Sequence, residues 1–242
     1  MSKKALLIGI NYTGSNCQLN GCVNDVLGMS EILQGKGYNV KIFTDNTKEK
    51  PTRHVILREL LELILSGSEK LYFHYSGHGS YQDDVKGGDE IDGRDECLVP
   101  IDYETNGMIV DDEIRGILNC LLPSQRLFCI IDACHSGTSC DLKYNYDMEG
   151  KPMKDDKNYI PTRGECIMLS GCRDDQTSAD AWEQKKYQGA LTFSFVTALR
   201  ENVKDYESLV KSVRNTLKTH NYEQIACLSS GKMLNLKSTF TL

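Results

Sequence analysis

The chain has 242 residues, of which 40% are hydrophobic and 26% are charged, and its formal net charge is −6. This length and composition are typical of one globular domain that can bury a sizeable core. The negative charge argues against nucleic acid as a partner and favours a cationic substrate or a metal ion.

Apolar segments of strand length alternate along the chain with segments of helical periodicity. The first apolar run stops at Asn11, too early for a signal peptide, and no run approaches membrane-spanning length. The alternation predicts an α/β fold, with a mainly parallel central β-sheet and helices on both faces. The predicted strands are 5–10, 38–43, 70–75, 127–131, 166–170 and 224–229, and the predicted helices are 22–34, 52–65, 110–122, 189–199 and 206–217.

Segment 142–163 interrupts this alternation, because it is rich in both signs of charge and has almost no apolar periodicity. Such a composition is typical of a mobile surface linker. We therefore predict one domain over 1–242, in which the linker joins a larger region, 1–141, to a smaller region, 164–242.

The ten cysteines are dispersed among apolar runs and include no Cys-x-x-Cys pair of the kind that binds zinc. We expect all ten to be free thiols in a reducing compartment, and hence a soluble cytoplasmic protein. We also expect a monomer with no membrane partner.

Two predicted strands end in residues suited to nucleophilic catalysis. The strand 127–131 runs into Asp132 and Cys134, and the strand 70–75 runs into His78, which stands between Gly77 and Gly79. A cysteine after an apolar run is usually a buried small hydrophobe, and most histidines are structural. Parallel strands, however, present their carboxyl ends at one edge, where α/β proteins bind ligands. The matched strand ends therefore predict a Cys/His dyad.

These motifs resemble those of a known family. Tyr75-Ser-Gly-His-Gly79 and Asp132-Ala-Cys-His-Ser-Gly137 are similar to the His and Cys motifs of the metacaspases, within the caspase-like peptidases. The His precedes the Cys by 56 residues, as in the caspase pattern, although Asp132 replaces the Gln of the caspase signature. The resemblance runs from Lys4 to about Leu236. It implies a caspase-like fold, protein or peptide substrates, a link to programmed cell death, and a type I-like catalytic core without a pro-region.

Cys134 needs a base, because a free thiol ionises only near pH ~8.5. His78 is the expected base, and it is favoured over adjacent His135 because consecutive residues leaving a strand point in opposite directions. The amides of Gly79 and Cys134 are the expected donors to the oxyanion, since glycine permits close approach of substrate. No third carboxylate is evident, so the sequence predicts a dyad.

Charge indicates the substrate preference. Asp132 lies two residues before Cys134, on the same side of the strand, where a carboxylate would attract Lys or Arg at P1 and repel Asp. Asp25 either joins this pocket or caps the first turn of its own helix; the resemblance favours the pocket. Ser76 lines the pocket or serves as a structural hydroxyl, with nothing in the sequence to decide between them.

Acidic clusters fill the loops around His78, and solvated loop charges are their simplest interpretation. Several carboxylates together also suit a calcium ion, although the sequence pattern alone identifies no site. The resemblance implies that one calcium ion is shared by four residues, with Asp92 as a substitute for the first of them if the loop register slips. The four are Asp95, Asp111, Asp112 and Asp141.

The sequence thus predicts a calcium-activated cysteine endopeptidase that cleaves after Arg or Lys. Activation is expected to expose the linker to self-cleavage after its basic residues, Lys143, Lys151, Lys154, Lys157 and Arg163. One alternative is a caspase-like protease with another P1 preference. The other is a calcium-responsive scaffold or quality-control adaptor with little or no peptidase activity.

Overall fold

The computed structural model describes residues 2–83, 94–134, 140–146, 152–155, 160–171, 180–183 and 186–242. Its strands are β1 (Lys3–Gly9), β2 (Asn39–Thr44), β3 (Lys70–Ser76), β4 (Gly79–Asp83), β5 (Arg94–Leu98), β6 (Ile109–Val110), β7 (Arg126–Asp132), β8 (Tyr144–Tyr146), β9 (Pro152–Asp155), β10 (Glu165–Ser170), β11 (Asp180–Glu183), β12 (Lys186–Gly189) and β13 (Cys227–Ser230). Its helices are α1 (Cys22–Gly35), α2 (Arg53–Leu65), α3 (Tyr103–Asn106), α4 (Asp111–Leu118), α5 (Ala190–Arg200) and α6 (Tyr206–Thr219).

Eight strands form the central sheet, in the order β2-β1-β3-β7-β10-β13-β8-β9. The first five strands in this order are mutually parallel, whereas β13, β8 and β9 add to the sheet in antiparallel fashion. The predicted caspase-like α/β fold is confirmed, and its parallel part contains both strands that carry the catalytic motifs.

Both faces of the sheet are buried, which explains why its central strands are apolar without interruption. In β1, Leu6 and Ile8 pack with α2 and α4 on one face. Ala5 and Leu7 pack with α1, α5 and α6 on the other. The prediction of helices on both faces is confirmed.

The prediction of a surface linker over 142–163 is wrong where the segment is described. Strand β8 pairs with β13, and β9 pairs with β8 at the edge of the sheet. Leu142 and Tyr146 are each 4% exposed, and the Tyr146 hydroxyl lies 2.9 Å from Ser230 Oγ. Charged residues are common on an edge strand, and Lys154 and Asp155 lie in β9. Lys154 lies in β9, so self-cleavage after it would require breaking this pairing.

Two small sheets that the sequence did not predict lie outside the main one. Strands β4, β5 and β6 form an antiparallel sheet that begins immediately after His78. Strands β11 and β12 form a hairpin that leads directly into α5. Both therefore lie next to the strand ends where the site was predicted.

Other expectations concern thiols and membranes. No disulfide joins any two of the nine cysteines in the described residues, in agreement with the prediction of free thiols. In the same part of the chain, no helix is long and apolar enough to cross a membrane. Location in the cytoplasm and the monomeric state stay predictions.

Candidate active site

The two catalytic motifs meet at the carboxyl ends of β3 and β7. These strands are parallel neighbours in which Ser76 is paired with Asp132, and the Gly77 amide donates to the Asp132 carbonyl over 3.3 Å. His78 and Cys134 therefore each lie two residues beyond the last pair. A Cβ atom placed on Gly79 would lie only 1.9 Å from the Cys134 carbonyl oxygen. The structure thus brings the two predicted motifs into backbone contact.

A backbone carbonyl orients the His78 ring. His78 Nε2 lies 2.7 Å from the carbonyl oxygen of Cys17, which belongs to the loop between β1 and α1. A carbonyl can only accept, so Nε2 carries the proton and Nδ1 is left as the basic nitrogen. The sequence predicted a dyad with no third member. The group that contacts His78 Nε2 is a main-chain oxygen, and because every residue has one, no side-chain pattern signals it.

Two tyrosines hold the backbone of His78. Its amide donates to the Tyr12 hydroxyl over 2.9 Å, and its carbonyl accepts from the Tyr75 hydroxyl over 2.8 Å. A Cβ atom on Gly77 would lie 2.7 Å from the Tyr75 hydroxyl and 3.0 Å from that of Tyr12. The two glycines beside His78 are therefore needed for different contacts. A side chain at Gly77 would clash with the two tyrosine hydroxyls, and a side chain at Gly79 would clash with the Cys134 backbone.

Two buried carboxylates meet beside Gly189, at the N-terminus of α5. Asp25 and Asp132 are 2% and 4% exposed. Both Asp25 oxygens accept from the Gly189 amide at 3.0 Å, and Asp132 Oδ2 accepts from the Thr192 amide and hydroxyl at 2.8 Å. A Cβ atom on Gly189 would lie 2.2 Å from Asp132 Oδ2 and 2.9 Å from Asp25 Oδ2. We call this arrangement the acidic pair.

Ser76 also contacts the acidic pair, because its hydroxyl donates to Asp25 Oδ2 over 2.7 Å. Asp25 lies in the first turn of α1, as the capping alternative requires, and its carboxylate also accepts from the Gly189 amide at the start of α5. The structure thus brings together all three predicted substrate-binding residues: Ser76 is hydrogen-bonded to Asp25 and is paired with Asp132 on the neighbouring strand.

His74 supports the acidic pair from within the core. It is fully buried, and its Nε2 lies 3.1 Å from Thr192 Oγ1. Burial lowers the pKa of His74 to about 3, so the ring is neutral near pH 7. Because the Thr192 hydroxyl donates to Asp132, His74 Nε2 is the donor to Thr192. Neither His74 nor Thr192 was predicted from the sequence, although His74 shares a strand face with Ser76 by alternation.

Two of the four predicted calcium ligands line the same cavity. Asp95 and Asp112 line one cavity of about 450 Å³, together with Arg53 and Glu113. Asp111 is buried, and its two oxygens accept from the Glu96 and Asp112 amides, each over 2.8 Å. Within the described residues, no group of three or more His, Cys, Asp or Glu side chains could hold a metal ion.

Several carboxylates nevertheless lie close together around Cys97. Burial, together with the nearby carboxylates of Asp111 and Asp95, raises the pKa of the Cys97 thiol to about 12. Asp141 is 3% exposed and has a left-handed backbone, with φ 45°. Asp92 lies outside the described residues. The shared calcium site therefore stays a prediction, for which Asp95 and Asp112 have the strongest structural support.

Comparisons with known proteins match nearly the whole chain. A family model described as the caspase domain (Peptidase_C14) matches residues 2–236. Metacaspase-1 of Emericella nidulans is 36% identical over an alignment that covers 99% of this chain and 73% of the relative. Metacaspase-1 of Ajellomyces capsulatus is 37% identical, with 96% and 81% covered. The crystal structure of protein GSU0716 from Geobacter sulfurreducens has a TM-score of 0.73 at 21% identity, covers 99% of this chain and 98% of its own, and supports the fold alone.

Proposed function

This chain belongs to the caspase-domain family as a metacaspase-like cysteine peptidase, and from that premise we propose that it is an endopeptidase cleaving after Arg or Lys. Cys134 is the nucleophile and His78 is the general base. The observation that carries the proposed specificity is the acidic pair, two buried carboxylates that approach Gly189 from α1 and β7. One of them, Asp132, stands two residues before the nucleophile.

The proposed reaction uses both nitrogens of His78. Nδ1 takes the proton of the Cys134 thiol, while Nε2–H stays bound to the Cys17 carbonyl and fixes the ring. The thiolate attacks the scissile carbonyl carbon, and backbone amides such as that of Gly79 stabilise the resulting oxyanion. The imidazolium then gives its proton to the leaving amine. Water, deprotonated by His78, hydrolyses the thioester and restores the thiol.

The acidic pair explains the proposed P1 preference. Amides and hydroxyls hold the two carboxylates in place without removing their charge. Burying like charges side by side is unfavourable unless a cation compensates them. A P1 guanidinium or ammonium group would bring that cation, with Arg able to pair in bidentate fashion. A P1 aspartate would be repelled.

Reporter peptides that differ only at P1 test this proposal. We expect kcat/KM for Arg and Lys to exceed that for Asp and for neutral Gln by at least about 100-fold, because a misplaced charge in a buried pocket costs several kcal/mol. Equal cleavage of all four peptides would remove the acidic pair from P1 recognition. A preference for Asp would establish the alternative specificity.

We further propose calcium as the cofactor, with Asp95 and Asp112 as ligands and Asp111 and Asp141 as the remaining candidates. Asp95 lies on β5 and Asp112 on α4, and β5 pairs with β4, which begins at Gly79. A bound calcium ion would supply positive charge that relieves the repulsion among these carboxylates. The ligands are thus connected to the dyad through one small sheet.

Calcium should stabilise the protein as well as activate it. We expect millimolar Ca²⁺ to raise the thermal unfolding temperature by several degrees, and Asp112→Ala to remove most of that shift, because binding to the native state stabilises it. Glu62→Ala is the matched control, since this carboxylate is exposed and lies outside the cavity. A calcium shift that survives Asp112→Ala, or that Glu62→Ala abolishes equally, would contradict the assignment.

A further inference from the structure

Tyr12 has an unusual backbone conformation next to the catalytic histidine. It lies in the loop between β1 and α1, and its φ of 53° is in the left-handed region. Bulky residues rarely adopt this conformation, and where they do, the surrounding structure enforces it at functional sites. Asp45 supplies part of that constraint, because its carboxylate accepts from the amides of both neighbours, Asn11 over 2.6 Å and Thr13 over 3.0 Å.

This conformation directs the Tyr12 side chain onto His78. The two ring centroids are 4.7 Å apart with the planes tilted by 38°, and Tyr12 is only 3% exposed. Its hydroxyl accepts from the His78 amide over 2.9 Å and donates to the Val99 carbonyl over 2.6 Å. The same loop presents the Cys17 carbonyl to His78 Nε2. One loop therefore holds the histidine at its backbone, its ring face and its ring edge.

From these contacts we infer that Tyr12 is a positioning residue for His78, an inference that rests on the proposed role of His78 as the base. The hydroxyl fixes the backbone of His78, and the backbone sets the position of the ring. The ring face lies against the imidazole, and aromatic faces attract a nearby cation. Tyr12 therefore stabilises the imidazolium that forms when His78 takes the thiol proton, and with it the thiolate.

The pH dependence of kcat/KM for an Arg-ending peptide separates this role from a purely structural one. The active thiolate–imidazolium pair exists between the pH at which the thiol ionises and the pH at which the imidazolium loses its proton. Without the ring, the imidazolium is less stable relative to the neutral imidazole, so Tyr12→Leu should move the alkaline limb to lower pH. The acidic limb should not move to higher pH, because His78 is protonated both before and after the thiol ionises there. The bell should therefore narrow from the alkaline side.

Tyr12→Phe isolates the hydroxyl, because it keeps the buried ring and is expected to fold. We expect kcat to fall roughly tenfold, because one hydrogen bond that fixes the base is lost. KM should stay within about twofold of its wild-type value, and the pH profile of kcat/KM should keep close to its normal width. Tyr206→Phe is the control, because Tyr206 is equally buried on α6 within the other core cluster.

The outcomes are distinguishable. A normal bell and a normal kcat in Tyr12→Leu and Tyr12→Phe, with an active wild type, would overturn the assignment of Tyr12 and leave the proposed function intact. Equal losses in Tyr206→Phe would also overturn it, because they would show a general effect of core hydroxyls. A wild type with no activity on Arg peptides, with or without calcium, would overturn the proposed function and this inference with it.

Discussion

Cys134→Ala protein is expected to lose peptidase activity by at least about four orders of magnitude, because no other group replaces a covalent nucleophile. His78→Ala should cause a comparable loss through the missing base. The fold should survive the cysteine change, since Cys134 is only half-buried and follows the end of β7. Turnover of an Arg-ending peptide and circular dichroism on the same sample check both parts.

Cys120→Ala serves as the matched control, because Cys120 is an exposed cysteine just beyond α4. It should keep full activity. Substantial turnover by purified, folded Cys134→Ala protein would remove Cys134 from the role of nucleophile.

Asp132→Ala should lower kcat/KM for Arg peptides by roughly thirty- to several-thousand-fold, since truncating one partner of a buried charge pair costs about 2–5 kcal/mol. The same change also removes the acceptor of the Thr192 amide at the start of α5. Loss of such a cap costs about 1 kcal/mol of stability, which a thermal unfolding measurement would detect. A lower unfolding temperature alone therefore does not show that Asp132 binds substrate.

Asp132→Asn separates binding from capping. Asparagine has almost the same shape and keeps an oxygen that can accept from the Thr192 amide, but it has no negative charge. If Asp132 binds the P1 cation, this variant should lose Arg cleavage while it stays nearly as stable as the wild type. Unchanged Arg cleavage in Asp132→Asn would show that the carboxylate serves only to cap α5.

The position of the proposed dyad could be predicted because local features determine where the two strands end. Apolar runs mark the two central strands, and small or polar residues mark where they end, so that Cys134 and His78 fall at one edge of a parallel sheet. Alternation likewise predicted the place of Asp132. In each case, the relevant information lies within a few residues of the site.

Contacts between residues that lie far apart in the sequence could not be predicted. The Cys17 carbonyl reaches His78 across 61 positions, and Thr192 reaches Asp132 across 60 positions. Strand β8 has only three residues and enters the sheet through pairing with distant β13. The approach of Asp95 and Asp112 to one cavity likewise joins residues that are distant in the sequence.

The most direct test of the central claim is the mass of the intact protein after incubation with a peptidyl-Arg chloromethyl ketone. We predict one adduct, a thioether at Cys134 formed with loss of chloride, which peptide mapping locates. Neither the Cys134→Ala protein nor the wild type treated with the matching Asp reagent should form it at a comparable rate. No adduct, an adduct on another residue, or equally fast labelling by the Asp reagent would contradict an Arg-directed cysteine peptidase with Cys134 as its nucleophile.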